Sequence, residues 1–248
     1  MIELRNISKS FAGRQILDDV SVLFEKGKTN LVIGGSGSGK TVLMKCMVGL
    51  LEPDHGHIFY DRRDFSGMDL DERKPIRKEI GMVFQGGALF DSMTVEENVM
   101  FPLSMFTSMS IAEKRERVTF CLQRVSLNNV NNLSTSELSG GMKKRVAIAR
   151  AIALNPRYLF CDEPNSGLDP QTAIVIDNLI REITEEFNIT TVINTHDMNS
   201  VMELGYKVLF LYKGKKWWEG DAEGIFRTDN KDLNEFVFAS KLLRGMKK

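Results

Sequence analysis

Apolar and polar positions alternate through the first 30 residues, at Ile2, Leu4, Ile16-Leu17, Val20, Val22 and Phe24, with Gly13 and Gly27 as breaks. That period of two predicts antiparallel strands leading into a buried strand over 30–33. A helix is expected over 40–50, then a turn cluster from Glu52 to His57, a strand over 58–60 and a short exposed helix over 69–78. The next apolar run, 80–85, reads as a buried strand ending in the polar side chain of Gln85. From 86 to 156 the pattern becomes helical. Thr94 with Glu97, and Ser110 with Glu113, have the capping-box spacing. A third helix starts at Ser139, has an alanine-rich interior and stops at Pro156.

A strand over 158–161 follows, then a helix capped by Asp169 with Pro170 at its first position, reaching about 187. Strands are expected at 190–194, 207–212 and 215–219, the last two joined at Lys213-Gly214, and amphipathic helices run to Lys248. The rings of Trp217 and Trp218 should face opposite sides of their strand, one in the core and one exposed. Strands and helices in this order predict an α/β fold with a helical lobe inserted between sheet strands.

Composition narrows the class. At 248 residues and 42% apolar content, the chain forms one large domain or one domain with an inserted lobe. Its 33 basic and 33 acidic residues cancel, so no global field favours nucleic acid. No apolar run approaches the roughly 20 residues that cross a bilayer, and Met1 to Asn6 lacks the features of a signal peptide. Cys46, Cys121 and Cys161 are scattered, which fits buried small hydrophobes in a reducing compartment better than bridges or zinc. The expectation is a soluble cytosolic protein. Lys143-Lys144-Arg145 reads as a solvated helix face, and Lys241, Arg244, Lys247 and Lys248 as a basic end too short to anchor a membrane alone.

The candidate chemistry centres on Gly34-Gly35-Ser36-Gly37-Ser38-Gly39-Lys40-Thr41, set between an apolar strand and a helix. This spacing fits a phosphate-binding loop. Its glycines let backbone amides close around an anion, and the following helix adds its positive end. Lys40 would reach the β- and γ-phosphates, and Thr41 would take a place on Mg²⁺. The plain alternative is a Gly/Ser turn joining strand to helix.

Other polar residues cluster at strand ends. Ligands of open α/β sheets gather at the carboxyl ends of strands, which brings in Gln85, Asp162-Glu163 and His196. Asp162 suits the Walker B role of holding Mg²⁺, and Glu163 is then left to orient or deprotonate the attacking water. His196 could contact the γ-phosphate or the water. Phe11 is either an adenine-stacking platform or a core residue at a strand end. His55 and His57, with no third ligand nearby, read as turn residues rather than a metal pair.

Leu138-Ser139-Gly140-Gly141-Met142 resembles the signature of the ATP-binding-cassette (ABC) ATPases, usually Leu-Ser-Gly-Gly-Gln. A serine cap and two glycines at a helix start make a second anion site. The resemblance spans essentially the whole chain and implies a P-loop NTPase of the ABC-ATPase fold. That fold has a RecA-like core, an antiparallel β-subdomain (together 1–87 and 157–220), a helical subdomain (88–156) and a C-terminal tail (221–248). It implies ATP and Mg²⁺ as cofactors, with Phe11 on adenine, Gln85 on Mg²⁺ and linked to a membrane permease, and Asp169 on a loop communicating across a dimer. It further implies a head-to-tail homodimer, each ATP lying between one chain's loop and the partner's Ser139 signature, so that two-fold symmetry makes two composite sites.

Met142 in place of glutamine, and the segment Gly86 to Val99, are similar to the ATPases of MCE-linked (Mla-type) phospholipid transport. This implies an MCE-type lipid-binding partner and a position on the cytoplasmic face of the inner membrane. The alternatives are the ATPase of a small-solute importer, or a non-transport ABC protein of DNA repair, translation or cofactor assembly. The neutral charge and the lack of coiled-coil or zinc motifs weigh against the last.

Overall fold

The computed structural model describes residues 1–238, so the basic residues Lys241, Arg244, Lys247 and Lys248 lie outside the described residues. In chain order the elements are β1 (Ile2–Phe11), β2 (Arg14–Phe24), β3 (Thr29–Ile33), α1 (Lys40–Met47), β4 (His55–Tyr60), β5 (Arg63–Asp64), α2 (Leu70–Lys78), β6 (Ile80–Val83), α3 (Val95–Phe106), α4 (Ile111–Arg124), α5 (Gly140–Ile152), β7 (Tyr158–Asp162), α6 (Pro170–Glu186), β8 (Thr190–Thr195), α7 (Met198–Leu204), β9 (Lys207–Tyr212), β10 (Lys215–Gly220), α8 (Ala222–Arg227) and α9 (Lys231–Val237). The chain divides into two compact units, Met1–Arg73 with Thr190 onward, and Lys74–Ile189. The second unit contains the whole of the 88–156 segment.

In the first unit, β2, β1, β4 and β5 form an antiparallel sheet. The alternating positions Ile2, Leu4, Leu17, Val20, Val22 and Phe24 are its buried face, as a period of two requires. The strand β3 is buried along its whole length and lies between β8 and β9, parallel to both. A strand flanked by parallel neighbours is covered on both faces, hence its unbroken apolar run. Asn30 is fully buried in it, and its side-chain amide donates to the Glu25, Lys28 and Thr191 carbonyls while its oxygen accepts from the Glu25 amide. A buried amide is tolerated because its hydrogen bonds are made.

Three local expectations are corrected in this unit, and one helix, α7, escapes sequence reading. The helix α1 ends at Met47 rather than 50, because the amides of Gly49, Leu50 and Leu51 turn back to the Cys46 and Lys45 carbonyls. His55 and His57 lie on β4 rather than in a turn, paired with Ser8 and Arg5 of β1. The short helix α7 follows β8, capped by Asp197 on the Asn199 amide at 2.9 Å. Neither tryptophan is core: Trp217 is 46% exposed and donates to Asp232, and Trp218 is half-buried over Gly220 and Gly224.

In the second unit β6 and β7 are parallel neighbours, and α5 packs on α3, α4 and β6. Both capping boxes form as their sequence spacing predicts, at Thr94/Glu97 and Ser110/Glu113. Buried Asn98 holds the turn before α3, donating to the Phe90, Met93 and Thr94 carbonyls and accepting from the Phe90 amide. The three cysteines are buried and unbridged. Burial pushes the thiols of Cys46 and Cys121 up to about 11, and that of Cys161 up as well, which leaves them protonated and inert at neutral pH. Among the described residues no helix is long and apolar enough to cross a membrane.

Candidate functional site

The candidate residues fall into two groups, one in each unit. In the first unit the chain leaves β3 at Gly34, with φ +153°. A Cβ there would strike the Leu211 carbonyl and lie 2.7 Å from Ser38 Oγ, so only glycine fits this close backbone approach. The loop turns through Gly35, Ser36 and Gly37, and Gly39 starts α1 with no side-chain cap. The Gly214 amide braces it from the β9–β10 turn, donating to the Ser38 carbonyl at 3.2 Å. Lys40 is buried, its Nζ donating to the carbonyls of Gly34 at 2.8 Å and Gly35 at 3.1 Å. An ammonium folded over its own loop preorganises that loop.

Ser38 Oγ is buried without a hydrogen-bond partner among the described residues. An orphaned hydroxyl in a glycine loop at an uncapped helix start fits an anion that supplies acceptor oxygens. Thr41 is exposed at the first turn of α1. Phe11 ends β1 at 44% exposure, so the core alternative is excluded and the ring is available for stacking. His196 is exposed just past the end of β8.

In the second unit, Asp162 ends β7 and Glu163 follows with φ +48°. A left-handed backbone at a non-glycine residue is strained, and such strain gathers at functional sites. The Gln85 side-chain amide donates to Glu163 Oε2 at 2.9 Å and to Ser166 Oγ at 3.3 Å. Gln85 and Asp162 in this unit offer amide and carboxylate oxygens, and Thr41 in the first unit a hydroxyl, each a hard donor of the kind Mg²⁺ takes.

Ser139 is exposed and caps α5 by accepting from the Met142 amide at 3.3 Å. Gly140 is exposed beside it, and a Cβ on Gly141 would meet the Thr172 γ-methyl carbon at 2.7 Å. The Asp169 carboxylate caps α6, accepting from the amides of Gln171 and Thr172 and from the Thr172 hydroxyl at 2.5 Å. That hydroxyl, with the Thr172 amide, holds the Asp169 carboxyl below its ordinary range. The signature glycines and the Asp169 turn are therefore neighbours through Thr172.

The expected solvated face at Lys143-Lys144-Arg145 is corrected. Lys144 is buried and its Nζ donates to the Gln85 carbonyl, while Arg145 Nε is buried without a hydrogen-bond partner among the described residues. Arg150, further along α5, donates to the Gly87 and Ala88 carbonyls at 2.8 Å. The signature helix thus holds the backbone from Gln85 to Ala88. Ser166, Lys144 and Arg150 escape sequence reading because their partners lie 59 or more residues away. Only the spacing of Lys144 from the buried Ala147 and Ile148 hinted that it shares their face.

The ABC transporter family profile matches residues 17–166. The methionine import ATP-binding protein MetN of Clostridioides difficile is 37% identical over 237 residues, covering 96% of this chain and 74% of that protein. The intermembrane phospholipid transport system ATP-binding protein MlaF of Haemophilus influenzae is 35% identical, covering 96% and 90%. Among solved structures, the dimeric post-hydrolysis state of the ATP-binding cassette MJ0796 bound to ADP and Pi superposes with a TM-score of 0.81 at 33% identity, covering 90% of this chain and 99% of that one.

Proposed function

The chain belongs to the ABC transporter family as an ATP-binding, ATP-hydrolysing subunit that takes ATP with Mg²⁺, and from that premise we propose that it powers phospholipid movement between membranes with an MCE-type partner. Lys40 and the amides of 34–41 take the phosphates, and Phe11 takes the adenine. Thr41, Gln85 and Asp162 hold Mg²⁺, which supplies charge neutralisation at the phosphates when bound. Glu163 orients and deprotonates water, and His196 contacts the γ-phosphate. Two copies associate head to tail, and each supplies Ser139, Gly140 and Gly141 to the other's nucleotide. The exposure of Ser139 supports that arrangement, since a signature meant for a partner must face outward.

The observation that carries the reading is the Gln85–Glu163 hydrogen bond. It ties the water-activating carboxylate to the loop preceding Phe90, Met105 and Phe106, apolar side chains exposed on the same unit. Such exposed apolar surface suits an integral membrane permease and supports a position on the cytoplasmic face of the inner membrane. The phospholipid assignment rests on the Gly86–Val99 segment and Met142, together with the likeness to MlaF.

A second reading, the ATPase of a small-solute importer, is favoured by the likeness to MetN. Detergent extraction with the native membrane subunit, followed by identification of bound lipid, separates the two. Co-purified phospholipid with an MCE protein supports the first; a permease that binds methionine or another small solute, without lipid, supports the second.

A further inference from the structure

The half-exposed ring of Phe11 is held from behind by a residue far along the chain. Asp54 Oδ1 accepts from Lys9 Nζ at 2.6 Å, and Oδ2 accepts from the Ser10 amide at 2.6 Å. The Asp54 amide donates to the Ser8 carbonyl at 2.8 Å. One residue therefore engages all three positions that precede Phe11. The Lys9 ammonium it holds lies 5.5 Å from the centre of the Phe11 ring, within cation–π range. The Lys9 side chain is only 16% exposed, so its charge has little freedom to leave.

We propose that Asp54 is a positioning residue for the nucleotide base: through Lys9 and the Ser10 amide it fixes which face of Phe11 is offered to adenine. The ammonium covers one face of the ring, and a purine stacks on the other. A carboxylate also keeps the strand end from twisting, because it grips a backbone amide and a side chain at once. Lys9 and the Ser10 amide hold the Asp54 carboxyl below its ordinary range, so the brace stays charged at neutral pH. The proposal rests on the reading of Phe11 as the base platform, and its test separates the two.

Binding of ATP and of inorganic tripolyphosphate, which lacks a base, is measured for the wild-type chain and for Phe11→Ala, Asp54→Asn, Lys9→Met and the Phe11→Ala/Asp54→Asn pair. Thermal melts confirm folding. Loss of a stacked base by Phe11→Ala should weaken ATP binding about tenfold and leave tripolyphosphate unchanged. Asp54→Asn and Lys9→Met should each weaken ATP binding about three- to tenfold, again sparing tripolyphosphate, and Asp54→Asn should add nothing once Phe11 is absent. If Phe11→Ala leaves ATP affinity intact, the base-platform reading falls and this proposal with it. If Phe11→Ala weakens ATP binding but neither brace variant does, or Asp54→Asn weakens it fully in the Phe11→Ala background or weakens tripolyphosphate equally, only the positioning role is overturned. Should Asp54→Asn fail to fold, Lys9→Met alone decides between these outcomes.

Discussion

Gln85 and Glu163, 78 residues apart in sequence, share a 2.9 Å hydrogen bond in which the amide donates to the carboxylate. The bond joins a loop to the strained residue, at φ +48°, that is assigned to water activation. Lys144 on α5 also donates to the Gln85 carbonyl, so the signature helix and the Glu163 carboxylate share Gln85 as a partner.

Glu163→Gln should preserve this hydrogen bond, since the new amide can present its oxygen to Gln85, while removing the base. Turnover in the presence of the membrane partner should fall about 10²–10⁴-fold, with ATP affinity retained and an ATP-dependent dimer accumulating in size-exclusion chromatography. Brisk hydrolysis by this variant would strip Glu163 of its assigned role.

Mixed dimers test the shared site. A Lys40→Ala chain paired with a Ser139→Arg chain collects both lesions in one composite site and leaves the other whole. Residual ATPase activity is expected in the mixture and in neither variant alone. Ser139 also caps α5, so its replacement costs about 1 kcal/mol of helix stability, and folding of that chain is checked by circular dichroism. No activity in mixed dimers shown to form would refute head-to-tail pairing.

Gly141→Ala should impair both stability and activity, because the added methyl meets the Thr172 γ-methyl at 2.7 Å. Thr172→Ser removes that methyl and keeps the hydroxyl that donates to Asp169. The double variant should regain most of the lost melting temperature and turnover. Absence of rescue would mean that the signature glycine is required for something other than room beside α6.

Lys144 supplies a pH test. Burial holds its ammonium below the ordinary value of 10.5, against the opposing pull of Cys161 and Glu163. In the pH range just below 10.5 the unfolded chain then binds more protons than the folded one, so stability contributed at this site rises with pH. Urea unfolding of wild type and Lys144→Gln at pH 8 and 10 isolates the term. The wild-type advantage should grow, or its deficit shrink, toward pH 10; a difference that moves the other way removes the buried, strained ammonium.

Much of the site was legible because its signals are local. The Gly34–Thr41 loop, the Thr94 and Ser110 capping boxes, Asp169 before Pro170, and the acids ending the 158–162 strand each need only a few neighbouring residues to specify a shape. The alternating pattern of β1 and β2 told which side chains turn inward for the same reason. Phe11 remained ambiguous, since an aromatic at a strand end packs inward or stands free depending on what arrives beside it.

What the sequence by itself determined is therefore the set of local shapes: a phosphate cradle, capped helices, strands that end in carboxylates. The tertiary structure alone decided that Lys144 is buried against Gln85, that Glu163 has a left-handed backbone, that His57 faces Asp64 across a hairpin at 2.9 Å, and that Asp54 holds Lys9 and Ser10. Each of these depends on a contact between distant segments. A side chain's own neighbours in the chain carry no record of which remote carbonyl or carboxylate will satisfy it, and packing supplies that partner only when the whole core closes.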